Sequence, residues 1–133
     1  GHCKALTDNK LSVISELQID AFSIEESGYQ AACQLIEKNI PFDAIFGASD
    51  LIAIGAMRAL QEHQIKIPEQ VAVVGFDDIA IASFTFPPLT TVKQDTKLAG
   101  ELLVSTLLES IAGEEISTTL ITPELVIRKS CGF

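Results

Sequence analysis

Two adjacent carboxylates, Asp77 and Asp78, follow a Val-rich run and are the residues of this sequence with the clearest chemical potential. Paired carboxylates serve general acid–base catalysis, divalent-metal binding or the binding of ligand hydroxyls. Because adjacent side chains usually point apart, catalysis and metal binding are the less favoured interpretations. Two alternatives remain: a structural role in a turn for at least one aspartate, and a ligand-binding role for Asp77 as a charged hydrogen-bond acceptor.

Ser49 lies in the segment Gly47-Ala48-Ser49-Asp50-Leu51 and is either a nucleophile or a helix cap. A nucleophile elbow carries Gly two positions after the Ser, where this sequence has Leu51. The histidines, His2 and His63, are distant from Ser49 in sequence. The pattern therefore favours an N-cap at Ser49 or Asp50 over hydrolase chemistry.

Phe22 lies just past the end of a predicted strand and is followed by Ser23. Core packing is the default interpretation of such a residue. The alternative is an aromatic platform, since sugar C–H faces and flat bases both pack on rings.

The composition narrows the class of protein. The chain has 133 residues, is 47% hydrophobic and carries a formal net charge of −9, so this segment is poorly suited to binding nucleic acid. Neither G-x-G-x-x-G nor G-x-x-x-x-G-K-[ST] occurs, and we expect no cofactor and no metal. The three cysteines form no CxxC pair, which is typical of reduced thiols in a cytosolic protein. No signal-peptide pattern opens the chain, and no stretch forms a clean membrane span.

Strand and helix patterns alternate along the chain, which predicts an α/β fold with a mostly parallel sheet and helices on both faces. The capping-box spacing of Ser23 and Glu26 predicts the start of one helix, and Gly113 the end of another. The predicted helices cover 1–8, 23–40, 49–62 and 98–111, and the predicted strands lie within 13–22, 44–46, 71–74, 90–93, 120–121 and 125–127.

Ligands of such sheets bind beyond the carboxyl ends of the strands. Three loops occupy that position here: 47–50, 75–78 and 94–96. Each carries polar side chains directly after an apolar run. We therefore expect Ser49, Asp77 and Gln94 to lie side by side at one rim of the sheet.

The order and spacing of these segments resemble the lactose/galactose-repressor (LacI/GalR) family of bacterial transcription regulators. The resemblance covers essentially the whole chain. It rests on Ala48-Ser49-Asp50-Leu51-Ile52-Ala53-Ile54-Gly55-Ala56-Met57-Arg58-Ala59-Leu60, Val71-Ala72-Val73-Val74-Gly75-Phe76-Asp77-Asp78, Pro88-Leu89-Thr90-Thr91-Val92-Lys93-Gln94-Asp95 and Pro123-Glu124-Leu125-Val126-Ile127-Arg128-Lys129-Ser130.

The resemblance implies a DNA-binding headpiece, a hinge helix and a two-lobed effector-binding domain like that of periplasmic sugar-binding proteins. Residues 1–95 and 118–133 would form the C-terminal lobe, and 96–117 a crossover helix that belongs to the N-terminal lobe. Gly1 would then be an interior residue of a longer regulator. The family's ligand contacts fall on Phe22, Ser49, Asp77, Gln94 and Asp95.

The expected function is that of a cytoplasmic, non-enzymatic ligand sensor for a sugar or related metabolite. We expect a homodimer, contact with operator DNA only through the headpiece, and no membrane association. The leucine-rich helix over 98–111 would lose its cover without the other lobe and offers an association surface. The alternative is one lobe of an exported sugar-binding protein for uptake; an enzyme is a third and weaker interpretation.

Overall fold

The computed structural model describes residues 1–132. In chain order the elements are α1 (His2–Asp8), a 3-10 turn (Ser15–Leu17), α2 (Glu25–Glu37), β1 (Ala44–Phe46), α3 (Asp50–Glu62), β2 (Ala72–Val74), a second 3-10 turn (Ala80–Phe84), β3 (Thr91–Lys93), α4 (Thr96–Ile111) and β4 (Glu124–Val126).

The strands form two two-stranded sheets, β1-β2 and β3-β4, which lie side by side and are joined by isolated parallel bridges. β1 and β2 pair in register from Ala44 opposite Ala72 to Phe46 opposite Val74. The bridges join Val74 to Thr90 and Asp77 to Lys93, and β4 pairs antiparallel with β3. The predicted α/β fold with a mostly parallel sheet is confirmed.

The core lies between α3 and the sheet. α3 buries seven of its residues because its apolar side chains run nearly all round the helix. Val73 of β2 is fully buried, as the Val-rich run predicts. The main buried cluster consists of Ala53, Met57, Leu60, Val71, Val73, Ala82 and Leu89.

Two glycines let α2 and α3 pack at close range. A Cβ at Gly28 would meet the carbonyl oxygen of Ile52, and one at Gly55 would meet that of Glu25. A second buried cluster of Ala32, Ala56 and Ala59 continues this contact. Small residues on both helices therefore fix the position of the α3 N-terminus, where a predicted site residue lies.

Three predicted features differ in the structure. No strand forms within 13–22; because no neighbouring strand pairs with this segment, its backbone closes a local turn in which Leu17 N–H donates to Ile14 O. The capping box at Ser23 and Glu26 is also wrong, since the N-cap of α2 is Ile24 and no side chain caps it. Residues 120–121 form no strand, and only Glu124–Val126 pairs with β3.

α4 is a 16-residue helix with no buried residue. Large apolar side chains along it are exposed, including Leu103, Leu107 and Ile111. Gly113 follows its C-cap with a φ of 78°, so the predicted glycine stop is confirmed. None of the helices within residues 1–132 is long and apolar enough to cross a membrane.

Candidate functional site

The loops after β1, β2 and β3 meet at one rim of the sheet. Asp50 N–H, after β1, donates to Phe76 O, after β2, across 2.7 Å. Asp77 N–H donates to Val92 O across 2.9 Å, and the Gln94 side-chain amide donates to Asp77 Oδ1 across 2.9 Å. The structure therefore brings the three predicted loops together.

Of the two caps that the sequence predicts, Ser49 and Asp50, the structure has Ser49 as the N-cap of α3. Its Oγ accepts a 3.4 Å hydrogen bond from Ile52 N–H. The Ser23 hydroxyl donates to the same Oγ across 2.8 Å. Ser49 is buried and Ser23 is exposed, so Ser23 is the hydroxyl of this pair that a ligand reaches more easily.

The two aspartates after β2 differ in the structural role and the ligand-facing role that the sequence left open between them. Asp78 pairs with Arg128, whose Nη2 lies 2.7 Å from Asp78 Oδ1. The side chains of this pair are only 19% exposed for Arg128 and 16% for Asp78. Asp77 is exposed and turns its carboxylate to Gln94. Asp78 is thus the structural residue of the turn, and Asp77 is the one that faces outward.

The turn itself is strained. Asp77 has a φ of 115° and Asp78 a φ of 54°, in the region that L residues rarely occupy. Such conformations cost about 1–3 kcal/mol each and persist only where the surroundings determine them. Strain of this kind clusters at ligand-binding sites.

The buried carboxylate of Asp50 supports this turn through hydrogen bonds. Asp50 is fully buried, and its two oxygens accept hydrogen bonds from the Thr91 hydroxyl and from Ile79 N–H. The Thr91 hydroxyl also accepts a 3.3 Å hydrogen bond from Asp78 N–H. Asp50 thereby joins α3, β3 and the strained turn, and its charge is satisfied by donors rather than by a cation.

Asp95 and Phe22 complete the predicted set. Asp95 is the N-cap of α4, and its Oδ1 accepts from Leu98 N–H at 2.9 Å, so one of its oxygens is already engaged. Phe22 is 81% exposed, which makes the default core-packing interpretation wrong. Phe22 directly precedes Ser23, whose hydroxyl bonds to Ser49, so this exposed residue adjoins the rim in the chain.

The rim is an open face and not an enclosed cavity. Two concavities of about 360 and 450 Å³ lie elsewhere, both lined in part by the connection from α3 to β2. A face of this kind becomes a pocket only when a second surface closes over it. Within residues 1–132 no three His, Cys, Asp or Glu side chains cluster as metal ligands.

Tyr29 connects α2 to the C-terminal end of α3, which is the end away from the rim. Its hydroxyl donates to Glu62 across 2.6 Å, and the Arg58 guanidinium lies 5.1 Å from the ring centroid. The hydrogen bond to Glu62 raises the pKa of Tyr29 to about 12 and lowers that of Glu62. The Glu62 hydrogen bond is also the main cause of the raised pKa of Arg58.

Sequence reasoning missed several residues of this region. Arg128 is distant from the turn in sequence and carries no local signal of its ion pair with Asp78. The spacing of Ser23 and Glu26 predicts a helix cap and gives no sign of the hydrogen bond from Ser23 to Ser49. A further apolar patch of Ile81, Phe84 and Phe86 was not singled out, although its two aromatic rings are 82% and 87% exposed.

Comparison with known proteins gives the family. The periplasmic binding protein-like domain matches residues 4–131. The HTH-type transcriptional repressor PurR of Haemophilus influenzae is 35% identical over 135 aligned residues, which cover 98% of this chain and 40% of the repressor. The chain thus spans well under half of that relative.

Solved structures that are similar to this chain are also transcription regulators. The transcriptional regulator CelR in complex with cellobiose has a TM-score of 0.90 and 32% identity, over 97% of this chain and 40% of CelR. The lac repressor dimer bound to operator and the anti-inducer ONPF has a TM-score of 0.86 and 34% identity, over 96% of this chain and 44% of the repressor.

The sheet, its helices and the rim therefore have the fold of a periplasmic-binding-protein-like domain. The chain belongs to the effector-binding domains of the LacI-type family of transcription regulators.

Proposed function

We propose that this chain forms one half of an effector-binding cleft in a bacterial transcription regulator. The observation that carries the proposal is the convergence of Asp77, Gln94 and Ser49 on one rim, formed by three loops that are joined by hydrogen bonds. The rim lies at the carboxyl ends of parallel strands, where α/β proteins bind ligands.

Each predicted contact has a distinct role in this proposal. Asp77 accepts hydrogen bonds from ligand hydroxyl or N–H groups, and Gln94 both holds Asp77 and offers its own amide oxygen. Ser49 and its partner Ser23 contribute hydroxyl groups, and Phe22 packs against the flat or C–H face of the ligand. A contact by Asp95 would use the carboxylate oxygen that the α4 cap leaves free.

The effector class that fits these groups is a small, hydroxyl- or amide-bearing metabolite, with sugars first. CelR, one of the similar structures, holds cellobiose. Binding between two lobes would shift their closure, because an effector changes an equilibrium only through different affinities for the two states. The rim is open on its own, so we expect the 133-residue chain alone to bind weakly or not at all.

Residues 1–95 and 118–133 are proposed as the C-terminal lobe, and 96–117 as part of the other lobe. The absence of any buried residue in α4 supports this division, since an apolar helix at the edge of a single lobe has no cover. Operator DNA would be bound by a separate headpiece, in the cytoplasm, and the chain itself would have no catalytic role.

Self-association is part of the proposal. The patch of Ile81, Phe84 and Phe86 lies on the segment after β2, and its large apolar side chains are exposed. Exposed apolar patches mark interaction sites. The lac repressor in the similar structure is a dimer. We assign this patch to contact with a second copy in the complete regulator, in addition to any association through α4.

A thermal-shift panel tests the proposed function. The complete gene product that contains these residues is heated with neutral sugars, sugar phosphates and purines, because a ligand selective for the folded state raises the melting temperature. One class of compound should raise the melting temperature more than the other two. If no member of any class shifts the melting temperature, the proposal fails. A coding sequence that supplies a signal peptide rather than a helix-turn-helix would instead support an uptake protein.

A further inference from the structure

We propose that Arg128 is a positioning residue for the effector site, acting through Asp78 to hold the Asp77 carboxylate toward the ligand. The inference rests on the proposed function of Asp77. It concerns a residue that lies 50 positions from Asp78 in the chain and outside the three rim loops.

The contacts of Arg128 converge on the strained turn. Its Nη2 donates to Asp78 Oδ1 at 2.7 Å, and its Nη1 donates to Leu89 O at 2.8 Å. Its backbone N–H donates to the Thr90 hydroxyl at 2.8 Å. Arg128 thus joins the chain after β4 to the turn after β2 and to residues 89–90, which precede β3.

This ion pair differs from the others in residues 1–132. In each of the remaining three ion pairs, such as Arg58–Glu62, two exposed residues lie four positions apart on the same helix. Exposed pairs contribute little, whereas breaking a mostly buried pair leaves a carboxylate without a partner. Without Arg128, the Asp78 carboxylate would have to move out to water.

That movement would displace Asp77, because both residues share one turn at positive φ. The Asp50–Thr91 network holds the turn through Asp78 N–H and Ile79 N–H, but it offers no donor to the Asp78 carboxylate. Arg128 therefore supplies the charge that allows Asp78 to stay inward and Asp77 to face outward.

The test is a double-mutant cycle on the complete gene product. The probe is whichever of cellobiose, lactose, galactose, hypoxanthine and guanine raises the melting temperature of the wild-type protein. Arg128→Met should weaken binding of that probe about tenfold or more, as expected for loss of one oriented charged hydrogen bond. Arg128→Lys should lose less, since lysine keeps the charge but not the two-pronged geometry.

In the Asp77→Ala background, Arg128→Met should change the Kd by less than about twofold, because its effect passes through Asp77. Equal losses in both backgrounds would assign Arg128 a general structural role and overturn the proposal. If Asp77→Ala alone leaves the Kd unchanged, the proposed function of Asp77 fails instead. Arg58→Met, which removes an exposed arginine, is the control and should leave the Kd unchanged.

Hydrogen exchange supplies a measurement that needs no probe. Arg128→Met should accelerate amide exchange at Asp77, Asp78 and Ile79 about tenfold, with exchange in β1 and β2 unchanged. Unchanged exchange at the turn would show that Arg128 does not hold it and would overturn the proposal, whether or not any panel member binds.

Discussion

Gln94 donates a hydrogen bond from Nε2 to Oδ1 of Asp77 across 2.9 Å, which connects the loop after β3 to the turn after β2. This contact places an amide and a carboxylate side by side on an exposed face. A carboxylate held in this way is oriented before a ligand arrives, which reduces the entropy lost on binding.

Asp77→Asn should weaken effector binding to the complete gene product by about 10- to 100-fold, because a hydrogen bond to a charged acceptor contributes about 1.5–3 kcal/mol. Titration calorimetry with the effector found by the thermal-shift panel measures the loss. Asp43→Asn is the matched control, since Asp43 is an exposed carboxylate at the opposite end of β1. Equal Kd values for Asp77→Asn and the wild type would exclude Asp77 from the site.

Glycine substitutions at the two strained aspartates should have opposite effects on stability. Asp77→Gly relieves a positive φ at a residue whose side chain has only an exposed partner, and should raise the free energy of unfolding by about 1 kcal/mol. Asp78→Gly leaves Arg128 without its carboxylate partner and should lower the free energy of unfolding by about 2 kcal/mol. Urea denaturation of both variants measures the difference, and a stabilised Asp78→Gly would contradict the assignment of Asp78 to the turn.

Tyr29 can be titrated without interference because the chain has one Tyr and no Trp. Ultraviolet absorbance of the 133-residue chain should report a pKa of about 12, and Glu62→Ala should return it toward the ordinary value of 10.0. Because the folded pKa is raised, the stabilising contribution of Tyr29 is complete below pH 10 and is lost as the pH rises toward about 12. Glu16→Ala, which removes an exposed glutamate remote from Tyr29 in sequence, should leave the titration unchanged; a Tyr29 pKa near 10 in the wild type would refute the contact.

Gly55→Ala should destabilise the chain by about 2–4 kcal/mol, because the new methyl group would overlap the backbone of α2 at Glu25. Gly100→Ala, in exposed α4, has open space around the new Cβ and should stabilise the helix by about 0.5–1 kcal/mol. Thermal unfolding of the two variants compares them. Equal melting temperatures would show that α2 and α3 do not approach as closely as described.

The 133-residue chain should self-associate through α4, where Leu103 is 73% and Leu107 60% exposed. Replacing both leucines with Glu should shift the chain toward monomer in sedimentation velocity, since charge at an apolar contact opposes association. The control replaces Ser105, on the opposite side of α4 from Leu103, with Glu. A wild-type chain that sediments as a monomer would contradict this prediction.

The sequence by itself determined the alternation of strands and helices, the buried character of α3, the cap at Ser49 and the three loops of the rim. These features follow from local periodicity and from the rule that the carboxyl ends of parallel strands lie at the same edge of a sheet. The pattern of residues along the chain is therefore enough to predict them. The prediction of a strand within 13–22 was wrong for the converse reason. A strand exists only where a neighbour takes up its hydrogen bonds, and residues 1–132 contain no strand that pairs with this segment.

Only the tertiary structure decided which aspartate faces outward. Asp77 and Asp78 are adjacent and chemically identical, and their roles diverge because Arg128 pairs with one of them from 50 residues away. In the same way, the exposure of Phe22 and the pairing of Ser23 with Ser49 depend on how α2 packs against α3. Long-range contacts of this kind leave no trace in local spacing, because the energy that selects them is gained only once the chain has folded.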